Sequence, residues 1–455
     1  MAAFLMASPR LFEQGISLDP AVYAVVARNF ARTGTWWSLK FSDTLFPQFF
    51  EQPFLIFWLQ GGVFKVLGFA DSATRILGLL FGSGTFYFLF RLGIQLAGLG
   101  LARVFAFLCL IDLNFVGRFA TLYLEVPLTF FGFGALYFFY RWVEGRNWRF
   151  SVWSGLFLSG AYMTKGFAAL PALGTIGLLA LVELRGAIFR SLGIWLLGFV
   201  SLAPVVVFCL VQRHYGDYYF GSLYYSSSFV ERAVVVGAGV GPWPFLRKLV
   251  LLGAPALTLS ILSVLEIGRG SRYRRVFGVA LGGAAMFVGA NATLGFANLH
   301  YYYGIFPYLN LMAAVGLCAL SERWPQLSWL KMAFILGLAS HVFWNIAPFS
   351  MRRKGPEDFF RLQPLMRALV KRSPAPLETV GITEGDWIYR QFSNWYWDRD
   401  SLILSGVAAA NGQIVIAATR RGDSLAMRGY TLCRADEHYE VWVKGAGLET
   451  LCRRN

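Results

Sequence analysis

Charged residues are scarce in this chain of 455 residues. Only 15% of them are Asp, Glu, Lys or Arg, whereas 56% are hydrophobic and the mean hydropathy is +0.53. Soluble globular domains carry about 25% charged residues, so this composition excludes an ordinary soluble protein. It predicts an integral membrane protein.

Cysteines are few, and most of them lie where a disulfide is not expected. Cys109, Cys209 and Cys318 fall in apolar runs, where cysteine behaves as a small hydrophobic residue. Cys433 and Cys452 lie in a more polar C-terminal tail. They are the only pair that the sequence leaves as a candidate disulfide.

The N-terminus lacks the features of a cleaved secretion signal. Met1 to Ala7 contains no basic residue and only seven apolar residues, which argues against a signal peptide. A helix needs roughly 20 apolar residues to cross a bilayer. This opening is therefore predicted to be the end of a truncated first span.

Long apolar stretches dominate what is present. A shorter run from Pro53 to Phe69 carries Lys65 and is predicted to lie at the membrane interface. Ten later stretches are long enough to span, and they begin near Ile76, Ala102, Leu122, Ser151, Phe167, Leu192, Leu249, Val276, Tyr302 and Leu330. The predicted architecture is a polytopic all-α membrane protein.

Basic residues exceed acidic residues by 41 to 25, and their placement decides between a nucleic-acid partner and a membrane. The short connections of one set hold only Arg118 and Lys165. The alternate connections hold Arg91, Arg103, Arg141, Arg146, Arg149, Arg185, Arg190, Arg269, Arg272, Arg274, Arg275, Arg323 and Lys331. The positive-inside rule makes this richer set cytoplasmic. The opening segment, the loop from Arg213 to Lys248 and everything after Phe349 are then non-cytoplasmic, and no nucleic acid is expected there.

The tail changes character after Phe349. Its β-like runs "LETVGI", "SLILS", "QIVIAA" and "YEVWV" predict a small soluble α/β or α+β domain over residues 350–455. Residues 1–349 are predicted to form the membrane domain.

Asp19 stands out in the polar opening "GISLDPAVYAVVARNFARTGTWW". Apolar residues recur at helical spacing behind it, and Pro20 suits a first helical turn, so Asp19 is a candidate N-cap. The same carboxylate at a membrane surface can accept a proton from an incoming hydroxyl. Both roles stay open.

Two further acids lie beside apolar runs. Glu125, in "RFATLYLEVPLTFF", is predicted at the outer end of its span, and such carboxylates are costly unless hydrated, paired or functional. Asp112 is a weaker case, for which a solvated interfacial carboxylate is the simpler interpretation.

Potential phosphate-binding donors are predicted on the same outer face. Lys165 lies at a tight turn before Gly166, either as a snorkelling lysine or as a cation that holds a phosphate. His300 precedes Tyr301, Tyr302 and Tyr303, and a tyrosine-rich stretch "RHYGDYYFGSLYYSS" lies in an outer loop. An acid that activates a hydroxyl, together with cations that hold a leaving phosphate, suits glycosyl transfer from a lipid phosphate.

Six ordered segments carry a family resemblance. They are "LDPAVYAVVARNFARTGTWW", "EQPFLIFWLQGGVFKVLGFADSATRILG", "GRFATLYLEVPLTFF", "AYMTKGFAALP", "YGDYYFGSLYYSSS" and "NLHYYYGIFPYLNLMAA". Over roughly residues 15 to 320 the chain resembles GT-C glycosyltransferases of the protein O-mannosyltransferase and lipid A aminoarabinose transferase superfamily.

The resemblance implies a polytopic GT-C fold in the plasma (inner) membrane, with outer juxtamembrane helices in a first loop over residues 9–75. It implies an inverting transferase that takes a sugar from a polyprenyl monophosphate donor and needs no cofactor. The acceptor is a lipid, glycan or protein, and the active site is non-cytoplasmic. The residues assigned to this site are catalytic Asp19 and Glu125, and donor-phosphate or substrate-binding Arg28, Lys165, His300, Tyr302 and Tyr23.

Three departures from the family pattern bear on activity. Pro20 replaces the second acid of the usual opening pair, and Gln52 replaces the usual lysine before the proline. Glu125 stands where aspartate is more usual. The family also has a full span before the catalytic acid, so a late start or a fragment is expected here.

Two alternatives to a transferase remain. One is a transporter or flippase for lipid-linked sugars, although the chain has no internal repeat of the kind found in transporters built from matching halves. The other is a catalytically impaired accessory protein of the same fold. The triplet from Asp398 to Asp400 resembles a metal-binding motif of nucleotide-sugar transferases, but it lies in the outer tail and no metal is assigned.

Overall fold

Helices form most of the chain in the computed structural model. The model describes residues 4, 7–12, 15–43, 47–49, 51–184, 190–215, 243–267, 273–293, 299–327, 357–373, 377–380, 393–398, 401–404, 409–418, 423–426, 428–435 and 439–452. The main helices are α1 Leu18–Thr33, α2 Leu55–Leu67, α3 Asp71–Ala97, α4 Leu99–Ile111, α5 Glu125–Gly145, α6 Trp148–Lys165, α7 Leu170–Leu184, α8 Leu192–His214, α9 Trp243–Ile267, α10 Arg274–Thr293, α11 Phe306–Arg323, α12 Glu357–Val370 and α13 Ala446–Cys452. The strands are β1 Leu377–Val380, β2 Ser401–Leu404, β3 Ile414–Ala418, β4 Thr431–Ala435 and β5 Tyr439–Val443.

The chain divides into two compact units. The helical unit contains residues 1–12, 36–38 and 50–351. The C-terminal unit contains residues 352–455 together with residues 13–35 and 39–49 from the opening segment. Helix α1 therefore belongs to the same unit as the tail, which a division of the sequence at residue 349 does not anticipate. The predicted domain boundary itself stays a prediction.

Helices α3 to α11 coincide with the first nine predicted spans, and the stretch from Leu330 lies outside the described residues. Within the described part, the helices long and apolar enough to cross a membrane are Asp71–Ala97, the continuous run Trp148–Leu184, Leu192–His214 and Arg274–Ala292. The all-α membrane architecture is confirmed, and the number of spans stays a prediction. Helix α2 occupies the run predicted to be interfacial.

The core of the helical unit is rich in aromatic and aliphatic side chains. Helix α5 packs against α6 and α3, α6 packs against α8, and α9 packs against α11. Phe88 on α3 contacts Phe130 and Tyr137 on α5 and Phe157 on α6. Inside a membrane the hydrophobic effect does not drive helices together, so helix association depends on packing contacts such as these aromatic pairs.

Helices α5 and α6 form an antiparallel hairpin. The turn between them places Arg146 in the left-handed region at φ +49°, and the Asn147 side chain caps α6 by accepting from the Arg149 N–H at 3.1 Å. Because the turn joins the C-terminus of α5 to the N-terminus of α6, Glu125 and Lys165 lie at the opposite end of the hairpin. The fold thus brings together two residues that are 40 positions apart.

The C-terminal unit contains a mixed five-stranded sheet. The strand order is β2-β1-β3-β5-β4, with β1 parallel to β2 and β3, and β5 antiparallel to β3 and β4. The four predicted β-like runs correspond to β1, β2, β3 and β5, so the predicted α/β or α+β class is confirmed. Strand β4 was not predicted. Cys433 on β4 forms a disulfide with Cys452 on α13, with the two Cα atoms 4.9 Å apart.

Candidate active site

Asp19 lies in the first turn of α1 and is half-buried. Ser17 occupies the N-cap position with an extended backbone, so the interpretation of Asp19 as the N-cap is wrong. An acid in the first turn still interacts favourably with the helix dipole. Tyr23, one turn further along, is buried in the C-terminal unit. The roles proposed for both residues stay predictions.

Arg28 is 4% exposed, and its described hydrogen-bond and ion-pair partners lie within the C-terminal unit. Its guanidinium donates to the carbonyl oxygens of Trp395 at 3.1 Å and Asn394 at 2.9 Å, and it pairs with Asp398 at 2.9 Å. Burial lowers the pKa of Arg28 to about 10, a fall that the Asp398 carboxylate opposes. Arg28 therefore remains a cation at neutral pH, and these groups occupy its two outer nitrogens.

Glu125 and Lys165 form a buried ion pair in the helical unit. Glu125 is the first residue of α5 and Lys165 the last residue of α6, and the two are 5% and 6% exposed. The lysine ammonium also lies 4.7 Å from the centre of the Tyr301 ring. Burial of two charges costs solvation free energy, and their attraction offsets this cost only when the geometry is good. The pair therefore contributes either to the structure or to the function. The two residues were singled out separately in the sequence, whereas their pairing was not predicted.

A second polar group surrounds Asp112, which follows α4. Its carboxylate accepts from the Asn310 side-chain amide at 2.9 Å and from the Asn114 N–H at 3.0 Å. These protein N–H donors thus take the place of water molecules that would hydrate a free interfacial carboxylate. Asn310 was not identified from the sequence, because an amide on an apolar helix carries no signal without its partner.

Tyr303 stacks on Phe115 with ring centres 4.9 Å apart. Its hydroxyl is buried and has no hydrogen-bond partner among the described residues. Tyr302 differs, because its hydroxyl donates to the Phe245 carbonyl at 3.0 Å and its ring stacks on Phe245. This contact occupies the Tyr302 hydroxyl, which the sequence assigned to substrate.

Several other sites predicted from the sequence fall partly or wholly outside the described residues. The His300 backbone lies in a short turn, Leu299–Tyr302, but its side chain is not described. Residues 216–227 of the tyrosine-rich loop and the last two residues of the 398–400 triplet are also outside the described ranges. Gln52 is described, and its buried amide oxygen has no partner among described groups. Within the part of the chain that the structure describes, no group of three or more His, Cys, Asp or Glu could hold a metal ion.

The chain resembles known proteins both in part of its sequence and in its fold. Residues 51–210 match the family model described as dolichyl-phosphate-mannose-protein mannosyltransferase. A search of curated protein sequences finds no significant match.

The solved structures of ArnT and AglB share the fold. ArnT from Cupriavidus metallidurans bound to undecaprenyl phosphate has a TM-score of 0.78 at 14% identity, covering 98% of this chain and 96% of that one. The archaeal oligosaccharyltransferase AglB from Archaeoglobus fulgidus, in complex with an inhibitory peptide and a dolichol-phosphate, has a TM-score of 0.59 at 11% identity, covering 91% and 68%. The chain has the GT-C fold of these proteins, and the resemblance to GT-C glycosyltransferases that its sequence carries is confirmed.

Proposed function

We propose that the protein is an inverting glycosyltransferase that moves a sugar from a polyprenyl monophosphate to an acceptor hydroxyl on the non-cytoplasmic face of the plasma membrane. The observation that carries this proposal is the buried Glu125–Lys165 pair at one end of the α5–α6 hairpin. It is supported by the family match over residues 51–210 and by the fold shared with an ArnT structure that contains undecaprenyl phosphate.

The reaction explains why a cation is needed. The acceptor oxygen attacks the anomeric carbon while the bond from that carbon to the phosphate oxygen breaks, and the bonding electrons leave with the phosphate. A sugar phosphodiester with one negative charge thereby becomes a polyprenyl phosphate with two. A fixed ammonium such as that of Lys165 stabilises the transition state more than the ground state, because the phosphate charge grows along the reaction.

The acids take the remaining roles. Asp19 is assigned as the base that accepts the proton of the acceptor hydroxyl, an assignment that rests on the family resemblance and on general base chemistry. Glu125 orients the Lys165 ammonium and a hydroxyl of the sugar or acceptor. Tyr23 and His300 are retained as substrate-binding candidates. Arg28 and Tyr302 are not, since protein carbonyl groups occupy them.

The non-cytoplasmic placement has its own support. The Cys433–Cys452 disulfide belongs to the C-terminal unit, and disulfides persist mainly in oxidising compartments outside the cytoplasm.

The test is a product assay with purified protein in lipid. Radiolabelled undecaprenyl-phosphate sugars, including mannose and aminoarabinose, are incubated with membrane acceptors, and the products are identified by mass. We expect a new glycosidic product from the wild type and loss of turnover, by at least a hundredfold, in Asp19→Asn. Asp43→Asn is the matched control from the same loop, because Asp43 is 85% exposed and pairs only with the half-exposed Lys40 in its described contacts.

Wild-type turnover in Asp19→Asn would overturn the assignment of the base. Movement of the lipid between leaflets without any glycosidic product would instead identify a flippase. Absence of both activities in folded protein would favour an accessory role.

A further inference from the structure

Helix α1 depends on contacts outside itself. It has 16 residues, just above the length of about 12–15 residues below which isolated helices are marginal in water, and in proteins most helical stability comes from tertiary packing. The residues from Ala21 to Arg28 are all buried. Because eight consecutive residues cover every side of a helix, the groups that surround these two turns help to set the position of Asp19, which lies in the first turn.

Residues 394–398 of the tail contact both helix α1 and the segment just before it. At the N-terminal side, the Ile16 N–H donates to the Tyr396 hydroxyl oxygen at 3.1 Å. At the C-terminal side, Arg28 donates to the carbonyl oxygens of Asn394 and Trp395 and lies 5.7 Å from the centre of the Trp395 ring. Asn394 and Trp395 are themselves buried. One five-residue segment thus contacts the chain just before the helix and again within the second half of the helix.

Asp398 completes the arrangement by accepting from two arginines. Its carboxylate lies 2.9 Å from Arg28 and 2.8 Å from Arg32. Asp398 also has a backbone φ of +53°, in the left-handed region that non-glycine residues adopt at a cost. Such a conformation persists where surrounding contacts determine it. The two arginines are among the contacts that hold the carboxylate in place.

We propose that residues 394–398 form a clamp that positions the Asp19 helix, with Arg28 as a positioning residue for the proposed base. This inference rests on the proposed function, because it assigns Asp19 the role of base. It changes the role of Arg28, which the sequence assigned to the donor phosphate. A phosphate would have to displace two carbonyl groups and a carboxylate from a guanidinium that is almost fully covered.

The separation between Arg28 and Asp19 indicates that Arg28 positions Asp19 indirectly. Asp19 and Arg28 are nine residues apart in the sequence, which corresponds to about 13 Å along a helix. Arg28 therefore acts on the carboxylate through the helix and not by direct contact. A displacement of about 1 Å in a reacting group can reduce turnover by about a hundredfold.

The experiment compares Arg28→Met, Arg28→Lys and Tyr396→Phe. Hydrogen exchange measured by mass spectrometry reports the order of residues 18–33, and binding of undecaprenyl phosphate alone reports the phosphate site. Turnover is measured in the product assay. Lys40→Met is the matched control, because Lys40 is a half-exposed cation of the same unit whose described side-chain partner is the exposed Asp43.

We expect Arg28→Met to accelerate exchange in residues 18–33 and to lower kcat at least tenfold, while the Kd for undecaprenyl phosphate stays within twofold. Arg28→Lys should give an exchange rate and a kcat between those of the wild type and Arg28→Met. An ammonium keeps the positive charge but cannot bond to two carbonyl groups at once as the planar guanidinium does. Tyr396→Phe removes a single hydroxyl and should accelerate exchange mainly near residues 16–20. Lys40→Met should resemble the wild type in all three measurements.

A tenfold weaker Kd with unchanged exchange would overturn the clamp and return Arg28 to the phosphate site. Unchanged exchange and unchanged kcat in both Arg28 variants would also overturn it. If the wild type transfers no sugar, the proposed function fails, yet the exchange measurements still decide whether the clamp holds the helix.

Discussion

Glu125 and Lys165 show most directly how single residues depend on each other in this protein. Both are buried, and each is the charged partner of the other. Removal of one member of a buried ion pair leaves the other without compensation, at a cost of about 3–5 kcal/mol, whereas replacement of both is often tolerated. Measurements of stability can therefore separate the structural contribution of the pair from its contribution to the reaction.

We expect Lys165→Met to lower the midpoint of thermal unfolding in detergent, with about 3 kcal/mol of lost stability. The double variant Glu125→Gln with Lys165→Met should recover most of that loss and remain inactive in the product assay. Recovery of stability without activity would assign the pair a role in the reaction. Full activity in the double variant would show that the pair is structural only.

At the residue scale, sequence alone identified the acids and cations but not their partners. Glu125 and Lys165 attracted attention because charges beside apolar runs are costly. Arg28 was assigned to the donor phosphate, and its described partners, which lie 366 or more residues away, could not be read from any local pattern. Tyr302 was assigned to substrate for a similar reason, since its bond to Phe245 depends on tertiary packing.

At the scale of elements, apolar periodicity and composition predicted the helices and most of the strands. Strand β4 was missed because its sequence "TLCRA" carries an arginine and a cysteine, and much of it is exposed. Strands β1, β3 and β5 contain consecutive β-branched or aromatic residues that predict strands directly. The pairing of α1 with the tail was beyond any pattern in either segment.

Helix α3 makes a close approach that a single substitution can test. A Cβ at Gly78 would overlap the carbonyl oxygens of Thr121 and Phe119, in the segment that leads to Glu125 at the start of α5. We expect Gly78→Ala to push this segment away, destabilise the protein by about 1–3 kcal/mol and reduce turnover.

Gly177→Ala on α7 is the matched control, because nothing lies within 4 Å of a Cβ at that position. Alanine there should be neutral or stabilising by up to about 1 kcal/mol, as usual for a helix interior. Thermal unfolding and the product assay measure both variants. Equal behaviour of the two would contradict a tight contact between α3 and the 119–121 segment.

At the scale of the whole molecule, the distribution of charge makes a topological prediction. Basic residues concentrate in the connections predicted to be cytoplasmic, and the disulfide lies in the tail predicted to be on the other side. In intact cells treated with a mild reductant, a membrane-impermeant maleimide should therefore label Cys433 and Cys452. A cysteine introduced by Arg149→Cys, at an exposed position after the α5–α6 turn, should be labelled only after permeabilisation. The opposite labelling pattern would invert the topology and exclude a non-cytoplasmic active site.

The contact between Arg28 and Asn394 also has a consequence for the order of synthesis. The two residues are separated by 366 positions, so a ribosome moving at about 5–20 residues per second reaches the second roughly 20–70 seconds after the first. Throughout that interval the nascent chain already carries its first loop but none of residues 394–398, which hold Arg28. If the clamp is needed for turnover, a growing chain cannot consume lipid-linked sugar, and nor can one that stops short of residue 394. Premature termination at any position before residue 394 would then yield an inactive membrane protein and not a partly active enzyme.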